Sequence, residues 1–359
     1  MQEPYVGCNR MNDIVRQDIA WLVQNTPWYA FENAKILITG AGGFIARYLV
    51  YFFMELNREK STECQVYALV RNRDKACKIF GEWMENSHFH LVIGNVEDSG
   101  AMAKEMTYVF HAAGISATKM FDLYPVDVLS ANVIGTYRLL EQVKSSSKLK
   151  KLVFFSSGAV YGNPPEAYRP SSENEYYPLN PFDTNGCYAE GKRVGELWCY
   201  SFWKQYQVPT AMIRIGHTYG PEINLDSGHI YADLVKAIIT NDEINIKNPL
   251  VVRPFTYIRD TIWGILLVTL SRSNGEAYNL WNAEERISIG KLACDLTEQV
   301  FTDRNLKVYY KGKVYHYDAT YDDTTKKTKG DTQKIEKLGW SAMIGVREGF
   351  QRTVYSFEK

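Results

Sequence analysis

A tyrosine and a lysine four residues apart form the first chemically suggestive pair in the chain. Tyr188 and Lys192 lie in the stretch YAEGK, and on a helix this spacing puts both side chains on one face. A free tyrosine has a pKa of ~10 and is a poor base at neutral pH, but a neighbouring ammonium lowers that pKa. The pair predicts a tyrosine that exchanges a proton and a lysine that assists it. Because YxxxK is common, its weight depends on the segments that precede it.

A hydroxyl at the end of a predicted strand supplies a third group. The apolar stretch KLVFFS predicts a buried strand, and Ser157 follows it directly. From there Ser157 could hydrogen-bond the reacting oxygen and steady a proton transfer, with Ser156 as its structural neighbour. The alternative is that the two serines only form a turn at the end of the strand.

A glycine-rich loop follows the first predicted strand, KILIT. Gly40 and Gly43 are three residues apart, and Ala46 takes the third small position. Glycine permits the tight turn and leaves room for a pyrophosphate beside the backbone. A helix that begins at Phe44 and Ile45 would direct its N–H groups and positive dipole end to the phosphates. Because the loop lies between a strand and a helix, it predicts a dinucleotide site.

The residues that follow the second and third predicted strands would contact the adenosine part of the dinucleotide, so they indicate whether NAD or NADP is bound. Arg71 stands where an acid would hold the ribose of NAD, and an arginine there suits the 2′-phosphate of NADP. This favours NADP over NAD, unless Arg71 and Arg73 are only solvated charges of a turn. Asn95, with its neighbour Val96, follows the third strand. Asn95 is placed to face the adenine, or else only shapes the turn.

Strand and helix patterns alternate over the first half of the chain. Such alternation predicts an α/β fold with a parallel sheet covered on both faces, and ligands bind such sheets at the carboxyl ends of the strands. We predict a Rossmann-type doubly wound sheet with a smaller C-terminal α+β substrate lobe. The predicted strands are Lys35–Thr39, Gln65–Val70, His90–Gly94, Tyr108–His111, Lys151–Ser156 and Thr210–Ile215.

Three regions are predicted along the chain. Residues 1–34 form an N-terminal helical extension, and residues 35–180 form the dinucleotide-binding domain, to which 187–220 add a helix and a strand. Residues 221–359 form mainly the substrate lobe. One side of the extension's helix is predicted to consist of Ile14, Ile19, Leu22 and Val23.

Charge and cysteine content exclude several classes of function. The 41 basic and 41 acidic residues give a formal net charge of zero, so bulk binding to nucleic acid or to an anionic membrane is not expected. No apolar run approaches the ~20 residues that cross a bilayer. The six cysteines form no CxxC pair and no zinc-like cluster with histidine, so no metal site is expected. Scattered thiols indicate a cytoplasmic protein.

Together these motifs resemble one family, the extended short-chain dehydrogenases/reductases that modify nucleotide sugars. The resemblance covers nearly all of the chain from Lys35 on and implies that Ser157, Tyr188 and Lys192 take the catalytic positions. It implies a nucleotide-diphosphate sugar as substrate, with Arg253 at the diphosphate, where an arginine fork suits phosphate. Two further matching segments concern the cofactor: Ala112, Ala113 and Gly114, which follow His111 and lie under the cofactor in the family, and the NVxGT helix that begins at Asn132. Two others belong to the substrate side: RIGHTYGP, in which His217 replaces an asparagine, and RPFTYIRD, which begins at Arg253. The LGW segment near the end of the chain also matches.

Two small residues depart from the pattern of the family's dehydratases. In 4,6-dehydratases the two residues after the catalytic hydroxyl are Asp and Glu, which drive loss of water, and decarboxylases usually keep the glutamate. Here these positions are Gly158 and Ala159. The resemblance therefore implies hydride chemistry alone at C4, either 4-epimerisation or reduction of a 4-keto sugar. The change at His217 leaves the contacts around the sugar or base open.

Two other functions stay open. The chain is a 4,6-dehydratase or decarboxylase if unrecognised acids, with Glu173 and Glu175 as candidates, replace the missing pair. From a different class, it is a non-catalytic dinucleotide sensor, although such relatives usually lose the catalytic tyrosine and lysine, which are present here.

The resemblance also implies a partner. In the family, the helix that carries the catalytic tyrosine and the helix predicted over Val128–Ser145 commonly pair across a two-fold axis as a four-helix bundle. We therefore expect a homodimer that takes a nucleotide-sugar substrate, with neither nucleic acid nor membrane as a partner.

Overall fold

A computed structural model describes residues 11–98, 100–162, 172–180, 182–184, 186–318 and 331–358. Its α-helices are α1 Asp13–Asn25, α2 Phe44–Lys60, α3 Arg73–Phe80, α4 Gly100–Ala103, α5 Thr118–Leu123, α6 Pro125–Val143, α7 Gly186–Tyr206, α8 Ile230–Thr240, α9 Ile258–Leu270, α10 Ile289–Asp295, α11 Gln333–Glu336 and α12 Val346–Tyr355. Its strands are β1 Lys35–Thr39, β2 Gln65–Val70, β3 Phe89–Ile93, β4 Tyr108–His111, β5 Lys151–Ser157, β6 Thr210–Ile215, β7 His217–Tyr219, β8 Ile244–Ile246, β9 Val252–Arg253, β10 Phe255–Tyr257, β11 Glu276–Leu280, β12 Ile287–Ser288, β13 Val308–Tyr310 and β14 Lys313–Val314.

A seven-stranded sheet forms the centre of the described chain. Its strand order is β11-β6-β5-β4-β1-β2-β3, and each neighbouring pair is parallel. The chain moves outward from β1 in one direction through β2 and β3, then crosses to β4 on the other side. Such a point of reversal is where ligands bind open α/β sheets. The predicted Rossmann-type doubly wound fold is confirmed.

Alternate residues of the strands supply two separate cores, because successive side chains of a strand point to opposite faces. Ile36 and Ile38 of β1 belong to the core beneath α2, whereas Leu37 packs with Leu139 of α6 and Phe202 of α7. Both faces are covered, which explains why the strands are almost wholly apolar. The sheet thereby fixes α6 and α7 side by side against one face.

The N-terminal extension is helical and packs on the body of the protein. Helix α1 lies against α2 and α9, and its buried apolar residues are Val15, Ile19, Leu22 and Val23. The prediction for Ile14 was wrong in detail: Val15 takes the buried position and Ile14 is half-buried. A buried carboxylate also lies on this side of the helix. Asp18 accepts hydrogen bonds from the Tyr257 hydroxyl at 2.7 Å and from Arg352 Nη2 at 2.8 Å.

The second half of the chain forms smaller sheets beside the main one. Strands β7 and β10 pair in parallel, β9 pairs with β12 in antiparallel fashion, and β13 joins β8 and β14. Strand β11 nevertheless belongs to the main sheet, beside β6, so the chain returns to the first lobe after residue 221. The proposed division at that residue stays a prediction. None of the helices in the described ranges combines the length and apolar character needed to cross a bilayer.

Candidate active site

The structure brings the three predicted catalytic side chains together. Ser157 ends β5, and Tyr188 and Lys192 lie on the first two turns of α7. The Ser157 hydroxyl accepts the N–H of Ala159 at 3.2 Å, and its interaction with the Tyr188 phenol lowers the pKa of that phenol. Lys192 Nζ donates to the carbonyl oxygen of Phe155 at 2.7 Å and lies 5.8 Å from the centroid of the Tyr188 ring. A serine, a phenol and an ammonium thus share one corner of the fold.

Burial governs the acidity of these groups. It raises the pKa of the Tyr188 phenol, and the hydrogen bond with Ser157 acts in the opposite direction. Burial also lowers the pKa of Lys192 to about 8, opposed by the nearby Glu196 carboxylate. The sequence predicted a lowered pKa for Tyr188. In the protein alone the loss of solvation outweighs its neighbours, so the phenolate needs a further positive charge to become accessible.

The glycine loop approaches the end of β4 closely. Gly40 has a φ of +65°, and a Cβ there would lie 2.8 Å from Ala113 Cα, so only glycine fits. Gly43 precedes α2 without a side-chain cap, which leaves the first N–H groups of this 17-residue helix free for an anion. Phe44 and Ile45 lie on that first turn, half-buried, and Ala46 is buried behind them.

A chain of hydrogen bonds connects the glycine loop to α6. The Thr136 hydroxyl donates to the carbonyl oxygen of Asn132 at 2.6 Å, so Thr136 Oγ1 must accept from His111 Nε2, 3.0 Å away. His111 Nδ1 is then the acceptor for the Thr39 hydroxyl at 2.9 Å, and Thr39 Oγ1 accepts the N–H of Ala113 at 3.0 Å. Complete burial lowers the pKa of His111 to about 3. A neutral His111 therefore aligns β1, β4 and α6.

An unpartnered acceptor lies next to the lysine. Asn132 Nδ2 donates to the carbonyl oxygen of Val128 at 2.8 Å, while the buried Asn132 Oδ1 has no hydrogen-bond partner among the described residues. A Cβ built on Gly114 would lie 3.0 Å from that oxygen and 3.3 Å from Lys192 Nζ. Buried polar atoms normally find partners, so this position fits a polar group of a bound ligand. Together with the open helix terminus and the close approach at Gly40, it fits a dinucleotide.

The residues predicted near the adenosine lie at neighbouring strand ends. Arg71 follows β2 and Asn95 follows β3, and both are exposed. The N–H of Gly94 donates to the carbonyl oxygen of Val70 at 3.0 Å, which holds the two ends together. Val96, in contrast, is buried and packs against Gly135 of α6. A Cβ built on Gly135 would lie 2.5 Å from Val96 Cγ1. Packing therefore explains Val96, and its predicted cofactor contact stays a prediction.

The two predicted substrate residues lie close to each other at the second lobe. His217 begins β7 and Arg253 ends β9. Burial, and after it the charge of Arg253, lowers the pKa of His217 to about 3. His217 is therefore a neutral hydrogen-bonding group, as the family's asparagine would be, and Arg253 supplies a positive charge beside it.

A buried ion pair behind the serines was not predicted. Arg214, fully buried, donates from Nη2 to Glu196 Oε2 at 2.7 Å and from Nε to Glu196 Oε1 at 2.9 Å. The Ser156 hydroxyl donates to the same carboxylate at 2.5 Å. Glu196 lies one turn after Lys192 on α7, so the ion pair fixes β6 against α7, and the Ser156 hydroxyl adds β5 to the same contact. An arginine inside the apolar strand TAMIRI was the available signal.

The two candidate replacement acids accept hydrogen bonds from groups other than the catalytic tyrosine. Glu173 Oε1 accepts the N–H of Asn279 in β11 at 3.0 Å, and Glu175 accepts from the Ser172 hydroxyl. A different acidic residue, which no pattern in the sequence singled out, lies among the described residues of the cavity. Asp183 lines the same cavity as Ala159 and Tyr188. The described residues contain no group of His, Cys, Asp and Glu side chains that could hold a metal ion.

The comparisons with known proteins agree with this geometry. The curated UDP-glucuronic acid decarboxylase 6 of Arabidopsis thaliana is 26% identical over 89% of this chain and 87% of its own length. The solved UDP-glucose 4-epimerase of Thermotoga maritima has a TM-score of 0.72 at 22% identity, covering 90% of this chain and 98% of that one. The UDP-glucuronic acid 4-epimerase of Bacillus cereus, solved with UDP-glucuronic acid and NAD, has a TM-score of 0.72 at 21% identity, covering 90% and 99%. The two solved structures share the fold.

The family assignment rests on a family model. A family model for the NAD dependent epimerase/dehydratase family matches residues 36–283, well over half of the chain. That stretch contains the glycine loop, Ser157, Tyr188 and Lys192, as the resemblance in the sequence implied. The chain belongs to the NAD dependent epimerase/dehydratase family.

Proposed function

We propose that this enzyme transfers hydride between NAD(P) and C4 of a nucleotide-diphosphate sugar, either inverting C4 or reducing a 4-keto sugar. The observation that supports this proposal most is that the buried Lys192 lies 5.8 Å from the Tyr188 ring and Ser157 lowers the pKa of the same phenol, with Gly158 and Ala159 in place of further acids. This set contains one proton carrier. Hydride transfer at a carbinol carbon needs one proton carrier, whereas loss of water needs additional acids and bases.

The side chains divide the work by their positions. Tyr188 exchanges the proton of the C4 hydroxyl, and Ser157 hydrogen-bonds the same sugar oxygen and steadies the proton transfer. A bound nicotinamide supplies the hydride acceptor or donor and, when oxidised, the positive charge that favours the phenolate. Lys192, anchored on the Phe155 carbonyl, holds the nicotinamide ribose next to Asn132.

The proposed dinucleotide contacts lie at the carboxyl ends of the strands of the main sheet. The N–H groups after Gly40 and Gly43 receive the pyrophosphate, and Asn95 faces the adenine. Arg71 supports NADP, because its exposed guanidinium suits a 2′-phosphate, whereas the Bacillus cereus structure contains NAD. The remaining proposed contacts are Phe44, Ile45, Ala46, Val96, Ala112, Ala113, Gly114, Asn132 and Lys192.

The substrate contacts are proposed from the second lobe. Arg253 binds the diphosphate, since a guanidinium matches phosphate oxygens in geometry and charge. The neutral His217 hydrogen-bonds the sugar or the base. The solved relative from Thermotoga maritima contains UDP-glucose, which supports a nucleotide sugar as the ligand class.

A second candidate is decarboxylation of a nucleotide-linked uronic acid. The curated relatives favour it, because the first three are named UDP-glucuronic acid decarboxylases. Oxidation at C4 would place a ketone β to the C6 carboxylate, and such an acid loses carbon dioxide readily. Both candidates therefore share the hydride step that Tyr188 serves, and they differ in the fate of C6. Ala159 stands where a decarboxylase usually has glutamate, which favours C4 inversion or 4-keto reduction over decarboxylation.

One panel of substrates distinguishes these functions. The protein is incubated with NAD or NADP and with UDP-, TDP-, GDP- and CDP-glucose, and separately with UDP-glucuronic acid, and the products are read by proton NMR. Inversion at C4, or reduction of added 4-keto sugar by NADPH, supports the proposal. A 6-methyl doublet indicates a dehydratase, and a pentose with loss of carbon dioxide indicates a decarboxylase. Cofactor binding without turnover of any sugar indicates a sensor.

We also propose that the enzyme works as a homodimer. Apolar side chains remain exposed on α6 and α7, among them Val126, Leu129 and Ile134 on α6 and Leu197 and Tyr200 on α7. The two helices lie side by side, so these residues can form one continuous apolar face. Two such faces would bury each other as a four-helix bundle.

A further inference from the structure

We infer that Arg47 and Glu222 transmit binding of the dinucleotide to the part of the second lobe that carries His217. Both are positioning residues, which act through their neighbours and not on the reacting atoms. The inference rests on the proposed function, because it takes the glycine loop as the site of the pyrophosphate. A single side chain, that of Arg47, touches both this loop and the chain beyond β7.

The first turn of α2 places Arg47 between the two. Its N–H donates to the carbonyl oxygen of Gly43 at 3.0 Å, and its side chain points back toward the start of the helix, as helical side chains do. Nη2 donates to the carbonyl oxygen of Gly42 at 3.1 Å, and Nη1 donates to Glu222 Oε2 at 3.3 Å. The guanidinium therefore joins the glycine loop to a residue 175 positions later in the chain.

Glu222 is held by α2 in an unusual backbone conformation. Its φ is +66°, a left-handed value that residues other than glycine adopt rarely and keep only where surrounding contacts fix it. The Tyr51 hydroxyl donates to Glu222 Oε2 at 3.0 Å, and the Tyr48 hydroxyl donates to the carbonyl oxygen of Pro221 at 3.4 Å. Three side chains of α2 thus hold this turn, two of them through one carboxylate oxygen.

The turn at Glu222 continues directly from the strand that carries the first proposed substrate residue. Strand β7 runs from His217 to Tyr219 and pairs in parallel with β10, so that His217 lies opposite Phe255. The rings of His217 and Phe255 are 6.1 Å apart between centroids, and Arg253 lies two residues before Phe255. The position of Glu222 therefore bears on both proposed substrate residues through two short paired strands.

Binding of the dinucleotide should tighten this bridge. Gly43 is exposed and Gly42 is half-buried, so a pyrophosphate held by the N–H groups of the loop would order it and make the Gly42 carbonyl a fixed acceptor. The guanidinium depends on its two ends, because the buried Arg47 Nε has no hydrogen-bond partner among the described residues. Ordering one end of the bridge lowers the entropic cost of ordering the other. Motion of the chain after β7 should therefore decrease when the cofactor binds.

Hydrogen exchange read by mass spectrometry tests this on the full chain. The protein is measured alone and with saturating NAD or NADP, whichever binds more tightly in calorimetry. In the wild type the cofactor should slow exchange in the glycine loop, residues 40–46, and also after β7, residues 219–224, where we expect at least ~5-fold, the low end of the usual coupling between two sites.

Two variants break the bridge from opposite ends. Arg47→Met keeps an unbranched stem without the guanidinium, and Glu222→Asn tolerates the left-handed backbone but is too short and uncharged to make the ion pair. In each variant the cofactor should still slow exchange at residues 40–46, whereas the slowing at 219–224 should fall below ~2-fold. Circular dichroism shows whether each variant is folded, and either folded variant suffices for the test.

Arg304 and Glu358 provide a matched control. They form an ion pair whose side chains are 17% and 30% exposed, compared with 16% and 25% for Arg47 and Glu222. Glu358→Gln should therefore leave the slowing at both segments as in the wild type.

The outcomes separate this inference from the proposed function. Slowing at 219–224 that persists in either folded variant comes from direct contact with the cofactor and overturns the inference. Slowing confined to residues 40–46 in the wild type overturns it as well, and in both cases the proposed function stands. Calorimetry that finds neither NAD nor NADP bound contradicts the proposed function itself.

Discussion

Removing the buried carboxylate of α1 should flatten the dependence of stability on pH. Asp18 is 1% exposed, and burial raises its pKa from the ordinary 3.8 to about 6, although Arg352, Tyr257 and Arg259 act in the opposite direction. A raised pKa means that the protonated carboxyl suits the folded protein better than the ionised one. The resulting stabilisation is fully present below pH 3.8 and is lost as the pH rises through about 6.

The size of this effect follows from the two pKa values of Asp18. Their difference corresponds to roughly 3 kcal/mol over the whole range. Because part of it is already lost at pH 5, the free energy of unfolding should fall by about 1.5 kcal/mol between about pH 5 and about pH 7.5 on account of this group. Asp18→Asn cannot ionise, so the variant should lack that part of the fall.

Urea unfolding followed by circular dichroism at those two pH values measures the effect. The quantity compared is the change in unfolding free energy with pH for the wild-type protein and for Asp18→Asn. Asp303→Asn, which removes an exposed carboxylate, should behave like the wild type. Parallel pH profiles for wild type and Asp18→Asn would refute the reasoning, and a steeper fall in the variant would show that the Arg352 ion pair outweighs burial.

Four further substitutions test the site and the assembly. Tyr188→Phe should lower turnover at least ~10²-fold while cofactor still binds, and near-normal turnover would remove the tyrosine from its assigned role. Arg71→Ala should weaken NADP more than NAD in calorimetry; equal losses would make the arginine a bystander and NAD the better assignment. His111→Leu leaves the Thr39 hydroxyl without its acceptor, so unfolding free energy should drop by at least ~1–3 kcal/mol, and an unchanged value would argue against the hydrogen-bond chain. Leu197→Glu should convert a homodimer to monomers in light scattering, whereas a monomeric wild type would contradict the dimer directly.

Local patterns were sufficient for the strands that carry the cofactor site. The boundaries of β1, β2 and β4 agree with the sequence prediction, because KILIT, QVYALV and YVFH are apolar runs with clear turns after them. Strand β11, with the sequence EAYNL, has no such pattern. It is recognisable as a strand of the main sheet only once β6 lies beside it.

Long-range and loop interactions were beyond the reach of the sequence. Asp18 and Arg352 are 334 residues apart, and a single charged residue on a predicted helix face gives no sign of such a partner. Asp183 lies in a short polar stretch before Tyr188, and only the packing of α5 against α7 reveals that it borders the cavity. Spacing did place Ser157, Tyr188 and Lys192 together, because strand ends and helix turns are set by local geometry. Their catalytic roles stay predictions.

Hydride transfer from C4 is most directly tested with substrates deuterated at that carbon. The wild-type protein is incubated with NAD or NADP and with UDP-, TDP-, GDP- and CDP-glucose carrying deuterium at C4, and the cofactor is then released by denaturation and examined by mass spectrometry. We expect that reduced cofactor from at least one sugar carries the deuterium, and that Tyr188→Phe abolishes the transfer. Reduced cofactor without deuterium, or transfer that persists at the wild-type rate in Tyr188→Phe, would contradict this expectation.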